Sequence, residues 1–202
     1  MKKTLLICFC VVGFCLQAQS FSEKDFKQSV SQVNSAKTES DYESAFQKFS
    51  KFTSTKPTEK WEAFYYAAVA TYMKAELQLK KNPSLDVSGL NSLARKYADA
   101  AHTQQDSSEV NLLLGLISLQ KLQMKGAKED KKELDAINQA VTKAEATAPD
   151  NPRLAILKAK LAERSNDQAK AKLFYEKASA GFQKSEGTAS VNWGVALIAG
   201  NK

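Results

Sequence analysis

Cysteine is scarce in this 202-residue chain: Cys8, Cys10 and Cys15 are all there is, crowded into the first fifteen residues. Everything after them is therefore without a disulfide framework, a thiolate metal site or a cysteine nucleophile. Histidine is scarcer still. His102 stands alone, with no second histidine to complete a metal site and no Ser or Cys at a spacing a general base would use. The eight glycines are isolated from one another, so no glycine-rich loop exists to cradle phosphate. The four prolines, Pro57, Pro83, Pro149 and Pro152, leave long periodic stretches uninterrupted. Acidic residues are scattered or set against lysines, with Glu145 and Glu163 expected on solvent faces, and no two form an acid–base pair. No enzyme chemistry, cofactor or metal is expected from this inventory, and nothing marks nucleic acid as a partner.

Long apolar runs are also missing, apart from one near the start. Met1-Lys2-Lys3 is basic, Thr4 to Leu16 is apolar, and Ala18-Gln19-Ser20 is a small-x-small exit. That is the pattern of a secretory signal peptide, cleaved after Ala18 or Ser20, and the run is too short to span a bilayer. Lipidation at Cys15 is the rival, but Phe14 stands where a small residue is needed. The expected mature protein is periplasmic or secreted, with no transmembrane segment. Its roughly 180 residues are ample for one apolar core. Loss of Lys2 and Lys3 takes the formal net charge from +7 to +5. Spread without blocks, that charge suits acidic peptide, glycan or lipid headgroups, or simply a solvated lysine-rich surface.

What fills the rest is helical periodicity. Phe64, Ala67, Ala68, Thr71, Ala75 and Leu79 recur at helical spacing, as do Leu112, Gly115, Leu116, Leu119 and Leu122. Only Val191 to Val195 alternates, leaving a short strand there as the lesser alternative. The fold class is all-α. Within it, Pro149-Asp150-Asn151-Pro152 stops one helix and starts another. Ala159, Ala162, Ala171, Tyr175 and Ala178 follow, with the turn Ser165-Asn166-Asp167 between them. Val141 and Ala144 stand 34 residues before Tyr175 and Ala178. Asp41 to Phe46 opens an earlier unit with Ala45, Phe49, Phe52 and Pro57; Tyr97 and Ala100 mark another. The junctions Phe52 to Ala67, Ala100 to Gly115 and Ala144 to Ala159 are each fifteen residues. Extra residues enter only inside the second and third units: a loop at Lys80–Ser84, and a charged stretch from Lys121 to Glu133 that extends both helices around Gly126.

These residues resemble the tetratricopeptide (TPR) repeat, a helix–turn–helix unit of 34 residues, and the chain looks like an exported bacterial protein of that kind. An ordinary helical bundle is the alternative. The resemblance implies a right-handed superhelical stack over 21–202, with repeats near 26–59, 60–107, 108–151 and 152–185, and a capping helix at 188–199. It implies a concave groove lined by the first helix of each repeat: Lys27 and Asn34, then Trp61, Phe64 and Tyr72, then Leu112, Leu116 and Leu119, then Arg153, Lys160 and Arg164. Such a groove is aromatic and aliphatic in the middle and basic at one end, suited to a peptide with an apolar anchor and an acidic flank. Phe64 and the leucines are equally suited to the core. The family's first-helix tryptophan is missing. Its carboxylate clamp is not matched either, since Val30 stands where a lysine is wanted and Ala68 where an asparagine would help. The implied function is a non-enzymatic scaffold binding a peptide or partner protein of unspecified identity. The alternative is a helical envelope-associated protein that meets acidic lipid or glycan through its basic surface.

Overall fold

A computed structural model describes residues 21–124, 130–184 and 192–198. The expected signal peptide, Gly126, and residues 188–191 and 199 of the expected cap lie outside the described residues. Within them every regular element is a helix: α1 Glu23–Ser35, α2 Glu39–Thr55, α3 Lys60–Lys81, α4 Ser88–Gln104, α5 Ser108–Gln123, α6 Lys131–Thr147, α7 Pro152–Arg164, α8 Gln168–Lys184 and α9 Val195–Ile198. The all-α expectation holds.

Side chains that satisfy free backbone N–H groups set the helix starts. Thr38 and Asp41 form a reciprocal capping box at α2. Ser107 accepts from Val110 N at α5, and Asp130 from Lys132 N at α6. Asn151 accepts from Arg153 N at 2.9 Å with Pro152 as the first helical residue of α7, the start expected from the proline-bracketed motif. Asn166, at φ +60°, makes the expected turn between α7 and α8.

Consecutive helices pair as α1 with α2, α3 with α4, α5 with α6 and α7 with α8, and each second helix also packs on the next first helix. The first helices touch one another in turn, α1 on α3, α3 on α5 and α5 on α7. Small residues sit at the closest approaches. Ala67, Gly115 and Ala159 are buried on the first helices; Ala45, Ala144, Ala171 and Ala178 are buried on the second.

The register of α4 differs from expectation. Ala94, Ala98 and Ala101 face the core, whereas Leu93, Tyr97 and Ala100 are only half-buried, so the alignment moves one residue along and the junction to Gly115 is fourteen residues. Two apolar stripes offset by one residue run along this helix. The all-alanine stripe lets α3 and α4 pack more closely, and Tyr97 packs edge-on against Phe46 at 5.3 Å instead. The insertion in the second pair is also more helical than expected: α3 continues through Lys80 and Lys81, and the loop covers 82–87.

The expected capping helix is described only over 192–198. Among these described residues Asn192 to Gly194 is irregular and Val195–Ile198 forms α9. Gly194 takes φ +105°, a left-handed conformation that cannot continue a right-handed helix.

Candidate functional site

Two adjoining features lie where α3, α5 and α7 meet the C-terminal segment. The first is a seat for Trp193, which is 2% exposed. Its indole Nε1–H donates to the Tyr65 hydroxyl at 2.9 Å, and that hydroxyl donates onward to Glu109 Oε2 at 2.9 Å. Glu109 also accepts from the Asn151 side-chain amide and pairs with Arg153 Nη1 at 3.4 Å. Arg153 closes the circuit, donating from Nη2 to the Trp193 carbonyl at 3.1 Å. The guanidinium carbon stands 4.6 Å from the indole centroid and 5.5 Å from that of Phe182, sandwiched as a cation between two rings. Tyr72 meets the indole edge-on at 6.4 Å. Trp193 is thus read twice, through its side chain and through its own carbonyl.

Burial, aided by the Glu109 charge, pushes the Tyr65 phenol well above its usual value, although Arg153 opposes the shift. Tyr65 stays protonated, which lets one hydroxyl accept from the indole and donate to the carboxylate.

The second feature is a groove of about 650 Å³ beside the seat, lined by Tyr42, Met73, Leu77, Glu76, Lys160 and Leu197 among others. Lys160 donates to Glu76 Oε2 at 2.6 Å and Gln120 to Glu76 Oε1 at 2.7 Å, joining α7, α3 and α5. Asn91 of α4 extends this chain by donating to Gln120 Oε1 at 2.9 Å. The Tyr72 hydroxyl faces the Glu76 carboxylate outside hydrogen-bond geometry and has no partner among the described residues.

The residues expected along a single open groove divide into several groups. Tyr72 and Arg153 are buried and belong to the Trp193 seat. Lys160 lines the groove, and the half-buried Trp61 ring lies 6.1 Å from Tyr65. Leu112, Leu116 and Leu119 are buried core residues, because α5 is covered on both flanks by α6 and α7. Phe64 is turned the other way, 6.1 Å from Tyr97 of α4. Arg164 donates to the Leu122 carbonyl at 3.0 Å, bracing the end of α5. Lys27 is exposed and paired with Glu23 at 3.7 Å, Asn34 is half-buried, and neither lines the groove. Glu163, expected on a solvent face, lines the groove instead.

Sequence reasoning missed Tyr65, Glu109 and Trp193. Glu109 reads locally as an ordinary acid in a first helical turn, and only the tertiary fold brings it to Arg153. Among the described residues no group of three His, Cys, Asp or Glu residues is placed to hold a metal ion, and no helix is long and apolar enough to cross a membrane. No family model, curated protein or solved structure matches the chain.

Proposed function

We propose that this is an exported, non-enzymatic interaction scaffold. In this reading the helix pairs stack as TPR-like repeats in a right-handed superhelix, with α1, α3, α5 and α7 on the inner face, and a peptide or partner segment is held there. One observation carries the proposal: the face shared by α3 and α7 already holds a piece of irregular chain, gripping Trp193 by ring, N–H and carbonyl. A surface that recognises main chain and an anchoring side chain together is the physical basis of peptide binding. The adjoining groove offers apolar wall around one ion pair, Glu76–Lys160, and room for further residues.

Export follows from the basic, apolar and small-residue order of the first twenty residues. The remaining chain suits an oxidising compartment, since it has no thiol to oxidise or mispair.

The test is site-specific photocrosslinking in the exported protein. Probes replacing the exposed groove residues Lys37 and Lys80 are expected to form discrete adducts, and a probe at Leu173, exposed on α8, is not. Adducts only at Leu173 would overturn the proposal. Binding that disappears in moderate salt would direct attention to the basic surface and to acidic lipid or glycan.

A further inference from the structure

We propose that the Trp193 seat is a binding site for a tryptophan-anchored segment of a partner protein, and that residues 192–198 occupy it as a built-in competitor. This rests on the scaffold reading above and names the partner's chemistry.

The seat is complete without its occupant. Tyr65, Asn151 and Arg153 all converge on Glu109, and none of those three contacts involves Trp193. Among the described residues, the tail's hydrogen bonds to the seat are indole to Tyr65 and Arg153 to carbonyl, and the contacts of the carboxylate, phenol and guanidinium with one another do not depend on them. A preorganised receptor of this kind binds without the ordering cost of assembling itself.

Its geometry selects tryptophan. The Tyr65 hydroxyl points its proton at Glu109 in a hydrogen bond and so presents a lone pair to an incoming N–H. Phenylalanine has no donor to offer it. The Arg153 guanidinium lies over the ring, where the indole π-system attracts a cation more strongly than other aromatics do.

Beyond Trp193 and the buried Gly194, the described tail packs on the core through half-buried side chains. Val195 is 46% exposed, Leu197 and Ile198 are half-buried, and α9 is a single turn. Gly194 is held at φ +105°, and a β-carbon there would stand 3.2 Å from Phe182 Cζ and 3.3 Å from Ile156 Cδ1. The groove continues past Ala196 and Leu197, so a longer partner segment that displaces the tail finds further wall to cover.

The experiment titrates a labelled peptide of residues 192–198, and the same peptide with alanine for its tryptophan, into the full chain and its Trp193→Ala and Gly194→Val variants, following anisotropy. Trp193→Ala is expected to bind the tryptophan peptide at least tenfold more tightly than the unaltered chain does. Gly194→Val, which strains the tail and substitutes none of Tyr65, Glu109, Asn151 and Arg153, is expected to fall between them. The alanine peptide is expected to bind none of the three. Equal affinity across the chains, or equal affinity for both peptides, overturns the inference.

If Trp193→Ala fails to fold, the unaltered chain answers through exchange of the Trp193 indole proton. Exchange at least tenfold faster than the core amides of α7 supports a displaceable tail. Exchange in step with them makes the tail part of the core and overturns the proposal. Crosslinks at Lys37 and Lys80 together with no binding of the tryptophan peptide would remove this inference and leave the scaffold reading standing.

Discussion

A β-carbon built on Gly115 would stand 2.8 Å from that of Ala140, closer than real side chains approach, and 3.0 Å from Leu157 Cδ2. The α5–α6 and α5–α7 contacts therefore both depend on one missing side chain. Gly115→Leu is expected to destabilise the protein by about 1–3 kcal/mol or more through overpacking, read as a lower urea midpoint. Gly89, with nothing within 4 Å of its built β-carbon, is the control. Gly89→Ala is expected to be neutral or to stabilise by up to about 1 kcal/mol. Equal midpoints for Gly115→Leu and the unaltered chain would mean that the α5 packing is wrong.

Tyr65→Phe removes the hydroxyl that links Trp193 to Glu109, leaving an indole donor and a carboxylate oxygen without their partner. The expected cost is about 1–3 kcal/mol, the range for a buried polar group left unsatisfied. Combined with Trp193→Phe, the two losses are expected to fall short of additive by about 0.5–3 kcal/mol, as for side chains in direct contact. Simple additivity in a double-mutant cycle would show that the hydrogen bond does not form in solution.

Lys56 follows α2 with only 2% exposure, its ammonium 5.0 Å from the Phe26 ring centroid and 5.4 Å from that of Phe21. It reaches Glu62 at 3.3 Å and Glu59 at 3.7 Å, both more exposed than itself. Lys56→Met keeps the stem and loses the charge, and is expected to cost less than about 1.5 kcal/mol. Lys56→Glu sets a third acid against two, inside a ring of phenylalanines, and is expected to cost more than about 3 kcal/mol. Thermal melts separate the two variants.

Stability should fall away at both ends of the pH scale. Hydrogen bonds from Lys143 and Asn111 hold Asp106 down to about 2. Glu39 is lowered by Gln78 and Lys81, Asp41 by the Lys37 and Thr38 backbone N–H groups and the Thr38 hydroxyl, and Glu43 by Lys74 and Gln47. Burial works against Glu133, but Lys121, Ser118 and Arg95 together keep its carboxyl low. Each pKa is lower folded than unfolded. Their contribution is therefore intact above the ordinary carboxylate range near pH 4 and is lost as pH falls through the folded values. Tyr65, Tyr66 and Tyr72 run the other way, raised chiefly by burial. Their contribution is intact below about pH 10 and is lost as pH rises beyond it. A melting temperature flat from about pH 5 to 9 and lower on either side is the expected profile. No decline above pH 10 would place these tyrosines in water.

Helix boundaries were legible in the sequence wherever a local signal fixed them. Asn151 and Pro152 began α7, and Ser165 to Asp167 ended it, because caps and turns depend on residues a few positions apart. The α4 register was not legible. Its two apolar stripes differ by one residue, and the choice between them depends on how closely α3 comes. The candidate site was less legible still. Arg153 reads as a surface cation on a basic helix until Glu109, 44 residues earlier, and Trp193, 40 residues later, are brought to it. A buried charge network has no local periodicity, so the repeat resemblance placed Arg153 on the wall of an open groove and not in a buried network.

A stack whose units touch only their neighbours can fray from either end, one unit at a time. Here the Trp193–Tyr65 hydrogen bond spans 128 residues and the Lys160–Glu76 pair spans 84, tying the second helix pair to the fourth and to the tail. These ties skip the intervening pair, so the last pair and the second resist separation even when the pair between them loosens. Unfolding should then proceed as a single transition, with calorimetric and van't Hoff enthalpies in agreement. Releasing Trp193 should spread that transition into steps. Occupancy of one aromatic seat would thereby decide whether the chain melts as a whole or in pieces.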